Sequence, residues 1–176
     1  MNSRQIYAIL QPRLGENFCG VFASDKVPVK IETYPAGIVI NTDPSDQPGK
    51  HWLALFVDSE KRAEYFDSFG RQPELPSILR LLKTSCVSYE CSGARVQGFF
   101  SSVCGHYSVY FLLERFGGVS MREILEKFDA DYEENDILVT DWINENFDLN
   151  TETYNADFLL SQVCRALSAA AEESVR

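Results

Sequence analysis

The sequence is poor in the residues that build metal sites and disulfide frameworks. It has 176 residues, with only two histidines and five cysteines. No CxxC pair and no HExxH motif is present, although zinc sites commonly use such short ligand spacings. An odd number of cysteines also leaves at least one thiol unpaired in a monomer. We therefore expect no metal, no cofactor and no disulfide framework.

Long apolar runs are also missing. No uninterrupted stretch of about 18 apolar residues, the length that suggests a membrane-spanning helix, occurs in the sequence. The N-terminal residues lack the order of charged, apolar and small residues that marks a secretory signal. We therefore expect an intracellular protein that makes no membrane contact.

Basic residues are in the minority. The chain has 16 Lys and Arg residues and 26 Asp and Glu residues, which gives a formal net charge of −10. Nucleic-acid affinity comes largely from Lys and Arg side chains that release counterions from phosphates, so DNA is not an expected partner. The length and the apolar content of 45% instead predict one compact domain over residues 1–176. We expect this domain to be monomeric.

Several short segments carry the patterns of β-strands. The apolar, β-branched run AGIVIN (36–41) predicts a buried strand. The segments HWLALFVD (51–58) and AEYFDSFG (63–70) are separated by a charged turn and predict an antiparallel hairpin. The segments CVSYE (86–90) and ARVQG (94–98) are interpreted as a further strand with a short interruption.

Helical patterns surround these segments. Residues 3–14 and 74–84 have apolar residues at near-helical spacing, and Glu74 and Pro76 are suitable for a first helical turn. The stretch SSVCGHYSVYFLLERFGG predicts a buried helix with a Ser pair at its start and a Gly pair at its end. Three further helices are predicted over residues 120–128, 133–147 and 156–173.

Cys104 has the most reactive predicted position of the five cysteines. It lies in the first turn of the buried helix, where the positive end of the helix dipole lowers a thiol pKa. A thiolate nucleophile also needs a general base and acid, which only His51 or His106 can supply. His106 follows Cys104 by two residues, so the two side chains would point about 200° apart on one helix. His51 is therefore the preferred partner.

Asp67 and Gln97 complete a candidate catalytic set. Asp67 follows the second hairpin strand and can accept a hydrogen bond from the His51 ring, which fixes its tautomer. Gln97, in the loop before the helix, and the backbone N–H of Cys104 can stabilise an oxyanion. Taken singly, these residues also fit a packed thiol, a hydrogen-bonded histidine and a capped turn. Their order and surroundings favour the catalytic interpretation.

Three segments resemble the signature blocks of the adenovirus proteinase (adenain) family, which includes related viral and virus-like DNA transposon proteases. These blocks are HWLALF, YFDSFG, and VQG followed by SSVCGHY. His51–Trp52 fills the position of the family's His-Trp pair, and Asp67 stands in its aromatic-acid-x-Phe-Gly context. Gln97 precedes Cys104 by seven residues, as in the family. The resemblance is strongest over residues 1–118.

The resemblance implies an α+β fold of the papain-like or adenain-like type, with a central mixed β-sheet flanked by helices. It implies that Cys104 is the nucleophile at the start of a buried helix and that His51 is the general base and acid. Asp67 would orient His51, and Gln97 would be the oxyanion-hole donor. We expect Trp52 to form a wall of the substrate site.

Adenoviral members of this family are stimulated by DNA and by a short peptide that is joined through a disulfide. Cys86 stands eleven residues before Gln97, where such a peptide-linking cysteine would fall. The alternative is a buried strand thiol, which we favour because free cysteine packs well in cores. The acidic net charge argues against the DNA part of that regulation.

The sequence thus predicts a cysteine endopeptidase that processes structural polyproteins of a virus or virus-like element, in the cytoplasm or nucleus of a host cell or in a virion. A protease that removes SUMO-like or ubiquitin-like tags, from the same clan, is the main alternative. Such enzymes usually have a longer catalytic domain and place Gln six residues before Cys. An inactive binding module and a hydrolase acting on a non-peptide amide or ester remain further alternatives.

Overall fold

The computed structural model describes residues 1–149. Its five strands are β1 (Phe18–Phe22), β2 (Ala36–Asn41), β3 (Trp52–Val57), β4 (Arg62–Phe66) and β5 (Ser88–Cys91). Its α-helices are α1 (Ser3–Leu14), α2 (Pro76–Ser85), α3 (Cys104–Phe116), α4 (Met121–Leu125) and α5 (Tyr132–Asn146). A short 3₁₀ turn, Gly15–Asn17, joins α1 to β1.

The strands form one mixed sheet in the order β1-β2-β3-β4-β5. The two outer pairs, β1–β2 and β4–β5, are parallel, whereas the central strand β3 runs antiparallel to both β2 and β4. The central strand β3 is buried on both faces because its side chains alternate between two cores. Leu53 and Leu55 pack with α2 on one face, whereas Ala54 and Phe56 pack with α1 and α3 on the other. The predicted α+β architecture, a mixed sheet flanked by helices, is confirmed.

The strands differ from the prediction in two places. The segment ARVQG (94–98) is not a strand: only Arg95 makes an isolated bridge, to Phe69, and the remainder is a loop. The N–H groups of Val96 and Gln97 donate to the Ser68 carbonyl oxygen, and the Val96 carbonyl oxygen accepts from the Asn135 side chain. Conversely, β1 (Phe18–Phe22) was not predicted, because Cys19 and Gly20 dilute its short apolar pattern. The hairpin formed by β3 and β4 and the strand β2 are confirmed.

Helix boundaries also differ in part from the predictions. The Ser pair Ser101–Ser102 does not cap α3, whose first turn follows Val103 without a side-chain cap. Glu74 precedes α2, which begins at Pro76. Ser120 caps α4 as predicted, but this helix already ends at Leu125. The predicted helix over residues 156–173 lies outside the described residues.

None of the helices within residues 1–149 combines the length and the apolar character needed to cross a membrane.

A tight turn follows β4 and leads the chain towards the loop that precedes α3. The Gly70 N–H donates to the Asp67 carbonyl oxygen at 2.8 Å, and Gly70 has a φ of 69°. A Cβ on Gly70 would lie 2.7 Å from the carbonyl carbon of Ala94. Both the left-handed backbone and the close approach of two chain segments therefore require glycine here.

Replacing Gly70 with Ala should destabilise the fold more than the same change at Gly93. Gly93 also has a positive φ, of 63°, but the nearest atom to an added Cβ, the Cys91 carbonyl oxygen, is 3.7 Å away. Gly93→Ala should therefore cost about 1–2 kcal/mol, the ordinary penalty of a left-handed residue. Gly70→Ala adds a backbone clash to that penalty. Urea unfolding of both variants measures the difference, and equal losses would contradict the close-approach argument.

Candidate active site

The hairpin formed by β3 and β4 brings His51 and Asp67 to the same end of the sheet. His51 directly precedes β3, and Asp67 directly follows β4. The two strands are antiparallel, with Ala54 opposite Phe66, so the start of one strand adjoins the end of the other. His51 Nε2 lies 2.8 Å from Asp67 Oδ1. The predicted interaction between these two residues is therefore present.

Asp67 is fixed from several directions. Its Oδ1 atom also accepts a hydrogen bond from the Phe69 N–H at 2.8 Å, and the carboxylate side chain is 2% exposed. The Ser92 hydroxyl donates to the Asp67 carbonyl oxygen at 3.1 Å. The Phe69 ring packs against the His51 ring with their centroids 4.9 Å apart. Asp67 and Phe69 together hold the imidazole in one orientation.

Cys104 is the first residue of α3 and is almost completely buried. The pKa of its thiol is raised by burial, but the neighbouring His51 side chain and the backbone N–H groups of Trp52 and Gly105 more than offset this effect. Since Asp67 occupies His51 Nε2, the ring presents its other nitrogen, Nδ1, to the thiol. The unpaired N–H groups of the first helical turn add positive potential at this position. These contacts favour the thiolate form.

The protonation behaviour of the pair follows from these contacts. Burial alone would lower the pKa of His51, but hydrogen bonds with Asp67 and Cys104 outweigh it and raise the pKa to about 9. Burial alone would raise the pKa of Cys104, but the His51 hydrogen bond and two backbone N–H groups bring it below its ordinary value. Both shifts favour the ion pair of thiolate and imidazolium over the neutral pair.

His106, the other histidine, does not share this environment. Burial lowers its pKa to about 4, so it is neutral at physiological pH. Its Nδ1 atom is buried and has no hydrogen-bond partner within residues 1–149. Its position two residues after Cys104 on α3 agrees with the expectation that it does not serve as the base.

Gln97 is buried in the loop before α3, with 1% exposure. Its Nε2 atom donates to the Ser101 carbonyl oxygen at 3.1 Å and to Ser101 Oγ at 3.0 Å. Its Oε1 atom accepts a hydrogen bond from the Ser68 hydroxyl at 2.6 Å. Gln97 is thus held between the residue that follows Asp67 and a residue three positions before Cys104.

The backbone around Gln97 is held by residues that the sequence did not single out. The Val96 carbonyl oxygen accepts hydrogen bonds from the Tyr107 hydroxyl at 3.0 Å and from Asn135 Nδ2 at 3.1 Å. The Gly98 N–H donates to Asp136 Oδ2 at 3.1 Å. Two neighbouring residues of α5 therefore hold this loop. Asn135 and Asp136 are polar residues within a helical segment, and the sequence carries no signal for these contacts.

Trp52 lies beside the start of α3, where Cys104 is located. Its indole is half-buried, and its Nε1 atom donates to the Met1 carbonyl oxygen at 3.1 Å. A Cβ on Gly105 would lie 3.2 Å from the Trp52 ring, so the indole packs closely over the start of α3. A role for Trp52 in substrate binding stays a prediction.

Cys86 lies at the end of α2 and not in a strand. It is a free, partly buried thiol that packs at the edge of the core beneath α2. Burial, followed by the charge of Asp58, raises its pKa to about 11, which disfavours the reactive thiolate. The sulfur is thus better suited to packing than to rapid disulfide exchange. Its suggested link to an activating peptide stays a prediction.

No protein-family model matches the chain. The chain is similar to "Cysteine protease S273R" of African swine fever virus (isolate Tick/Malawi/Lil 20-1/1983), with 36% identity over 95 residues, 48% of this chain and 35% of the relative. The "SUMO-1 cysteine protease S273R" of the isolate Pig/Kenya/KEN-50/1950 is 32% identical over 108 residues, 55% of this chain and 40% of the relative. The "Protease" of human adenovirus A serotype 12 is 35% identical over 89 residues, 42% of this chain and 43% of the relative.

Among solved structures, the crystal structure of the African swine fever virus pS273R protease superposes with a TM-score of 0.54. The match covers 78% of this chain and 65% of that chain, at 22% identity. The chain spans less than half the length of the curated relatives it matches.

The fold is that of the papain-like and adenain-like cysteine proteases, and Cys104 lies at the start of a buried helix. The predicted resemblance to the adenain-like family is confirmed by the African swine fever virus and adenovirus proteases. The predicted enzyme class, a cysteine-type peptidase, is also the class named for the African swine fever virus relatives.

Iodoacetamide should label Cys104 faster at neutral pH than it labels Cys86. The pKa of Cys104 is lowered, whereas that of Cys86 is raised to about 11, and only the thiolate reacts. His51→Ala should slow the labelling of Cys104, because each unit of upward pKa shift reduces the thiolate fraction about tenfold. Peptide mapping by mass spectrometry measures both rates. Equal labelling of the two cysteines, or no effect of His51→Ala, would contradict the ion pair.

Proposed function

We propose that the chain is a cysteine endopeptidase with Cys104 as nucleophile, His51 as general acid and base, Asp67 as the group that orients His51, and Gln97 as an oxyanion donor. The observation that carries this proposal is His51, which is hydrogen-bonded to Asp67 and neighbours the Cys104 thiol, whose pKa it lowers at the start of a helix. Such an arrangement has the activated nucleophile and the oriented base that acyl transfer requires.

In the proposed reaction, the Cys104 thiolate attacks a peptide carbonyl carbon and forms a tetrahedral intermediate. The His51 imidazolium donates its proton to the leaving amine, and the C–N bond breaks to leave a thioester on Cys104. Neutral His51 then takes a proton from water, which attacks the thioester carbonyl. Collapse of this second intermediate releases the carboxylic acid and restores the ion pair.

Gln97 and the backbone N–H of Cys104 would stabilise the oxyanion of both intermediates. The Gln97 amino group donates to Ser101 when no substrate is bound. An oxyanion carries more charge than a carbonyl or hydroxyl oxygen and makes the stronger, charge-assisted hydrogen bond. It would therefore compete with Ser101 for one Gln97 N–H bond as the intermediate forms.

For the substrate we propose the structural polyproteins of a virus or virus-like element. The support is the similarity to proteases of two viruses, African swine fever virus and human adenovirus A serotype 12. A second candidate is a SUMO-like or ubiquitin-like conjugate, because relatives of this chain carry the name "SUMO-1 cysteine protease". The seven-residue spacing from Gln97 to Cys104 favours the first candidate.

Cys104→Ala should abolish turnover of a peptide substrate without unfolding the protein. The substitution removes the nucleophile and leaves the helix backbone and the core unchanged, since Ala is a good helix former. The measurement is peptide hydrolysis followed by mass spectrometry, with circular dichroism as the folding check. Retained turnover in the folded variant would overturn the assignment. Cys91→Ala, at a partly buried thiol in β5, serves as the matched control and should retain activity.

Gln97→Ala and Asp67→Asn should each reduce turnover less than Cys104→Ala. Loss of one oxyanion donor lowers kcat by roughly 10²–10³-fold. Asp67→Asn keeps an acceptor for the His51 ring but removes the negative charge that stabilises the imidazolium. Steady-state kinetics on a fluorogenic peptide measure both effects. Full activity of Gln97→Ala would exclude Gln97 as the oxyanion donor. Complete inactivity of folded Asp67→Asn would indicate that Asp67 does more than orient His51.

Peptide turnover should rise and then fall with pH. The acid limb reflects protonation of the Cys104 thiolate, at a pH below the ordinary pKa of a thiol. The alkaline limb reflects loss of the His51 proton, so kcat/KM should fall as the pH rises through about 9. A kcat/KM that instead increases steadily up to pH 10 or so would show that thiol ionisation is limiting, contrary to a preformed ion pair.

Two substrates distinguish the two candidate functions. A viral-type peptide with glycine and small residues before the scissile bond tests polyprotein processing, and a ubiquitin-like conjugate tests deconjugation. Selective cleavage of the peptide supports the first candidate, and selective cleavage of the conjugate supports the second. Labelling of Cys104 by an active-site thiol probe, with neither substrate cleaved, would favour a different acyl substrate.

A further inference from the structure

We propose that Ser68 is a positioning residue that sets the orientation of the Gln97 side-chain amide, and that it acts on the rate of acyl transfer through Gln97. This inference rests on the proposed function, because it concerns the oxyanion donor of that reaction. Ser68 immediately follows Asp67 and is 1% exposed, as is Gln97. The two side chains therefore meet in the interior, where an unsatisfied polar group is costly.

Three hydrogen bonds join Ser68 to the loop that carries Gln97. The Ser68 carbonyl oxygen accepts from the Val96 N–H at 2.9 Å and from the Gln97 N–H at 3.1 Å. The Ser68 hydroxyl donates to Gln97 Oε1 at 2.6 Å. Main chain and side chain of one residue thus hold both the backbone and the amide oxygen of Gln97.

The hydrogen-bond partners allow only one orientation of the amide. The Ser101 carbonyl oxygen can only accept, so it requires the Gln97 amino group at 3.1 Å and not the amide oxygen. Ser101 Oγ donates to the Gly98 carbonyl oxygen at 3.2 Å and is therefore also an acceptor for Gln97. Oε1 must then face Ser68, whose hydroxyl has no restriction on donating. Without that hydroxyl, the buried Gln97 Oε1 atom would lose the hydrogen-bond donor that Ser68 provides.

The same contact connects the two halves of the candidate site. Asp67 sets the orientation of His51, and the next residue, Ser68, sets the orientation of Gln97. The single turn that follows β4 therefore positions both His51, the acid-base group, and Gln97, the oxyanion donor. When an oxyanion draws an N–H away from Ser101, the Ser68 contact keeps the amide from rotating out of place.

The test is a double-mutant cycle between Ser68→Ala and Gln97→Ala, read as kcat and KM on a peptide substrate. Ser68→Ala should lower kcat about tenfold, the factor that corresponds to one ordinary hydrogen bond, and leave KM nearly unchanged. In the Gln97→Ala background the same change should have almost no effect. Iodoacetamide labelling of Cys104, which involves no oxyanion, should keep its rate and pH dependence in Ser68→Ala.

Ser85→Ala is the matched control, since Ser85, the last residue of α2, is also a buried serine but accepts a hydrogen bond from the Ile31 N–H at 2.9 Å. It should leave kcat of the folded protein unchanged. Ser68→Thr, which keeps the hydroxyl, should restore the rate if the extra methyl group is accommodated. An unchanged kcat in Ser68→Ala, or a full tenfold loss that persists in the Gln97→Ala background, would overturn the proposal.

A second readout does not depend on activity. The side-chain amide resonances of Gln97 in NMR spectra should be sharp in the wild-type protein and broadened or shifted in Ser68→Ala, because the amide gains a second orientation. Unchanged resonances would overturn the positioning role. If the wild-type protein cleaved no peptide while these resonances changed as expected, the proposed function would fail and the positioning of Gln97 by Ser68 would stand.

Discussion

The buried hydrogen bond between His51 and Asp67 is the interaction on which the candidate site depends. Burial disfavours a charged imidazole, and by itself it would make His51 neutral at physiological pH. The carboxylate 2.8 Å away reverses this preference, and the charged ring in turn stabilises the Cys104 thiolate. Cys86, whose pKa burial and the charge of Asp58 raise to about 11, shows what burial does to a thiol that has no such partner among the described residues.

Two neighbouring strands are enough to place His51 beside Asp67. An antiparallel hairpin places one residue before β3 beside one residue after β4, so the pairing register itself sets the distance between imidazole and carboxylate. The loop with Gln97 is less regular and needs more support. It is held by Ser68 from the sheet side and by Asn135 and Asp136 from α5. Catalytic loops on a rigid scaffold commonly need such additional hydrogen bonds.

The sequence predicted the parts of the site that depend on local pattern. The apolar runs on either side of a charged turn indicate the β3–β4 hairpin, and hence the neighbouring positions of His51 and Asp67. The apolar stretch after Cys104 and the Gly pair after it indicate α3. These are short-range signals, in which a few adjacent residues determine both the structure and the position of the functional group.

The unpredicted parts depend on contacts between distant segments. The segment around Val96 was interpreted as part of a strand, yet its backbone hydrogen bonds go to the Ser68 carbonyl oxygen and to the side chains of Tyr107 and Asn135. The Ser68–Gln97 contact joins residues 29 positions apart. Polar residues such as Asn135, within a helix, give no sign in a single sequence of the backbone group that they bind.

The central claim, that Cys104 forms a covalent acyl intermediate, is tested most directly by trapping that intermediate. A cleavable peptide ester would be mixed with the protein, quenched with acid within the first turnover and digested for mass spectrometry. The account predicts the acyl fragment on Cys104 in the wild-type protein, with its accumulation strongly reduced in Gln97→Ala. An acyl group on another cysteine, or product formation with no acyl group on Cys104 at any quench time, would contradict it.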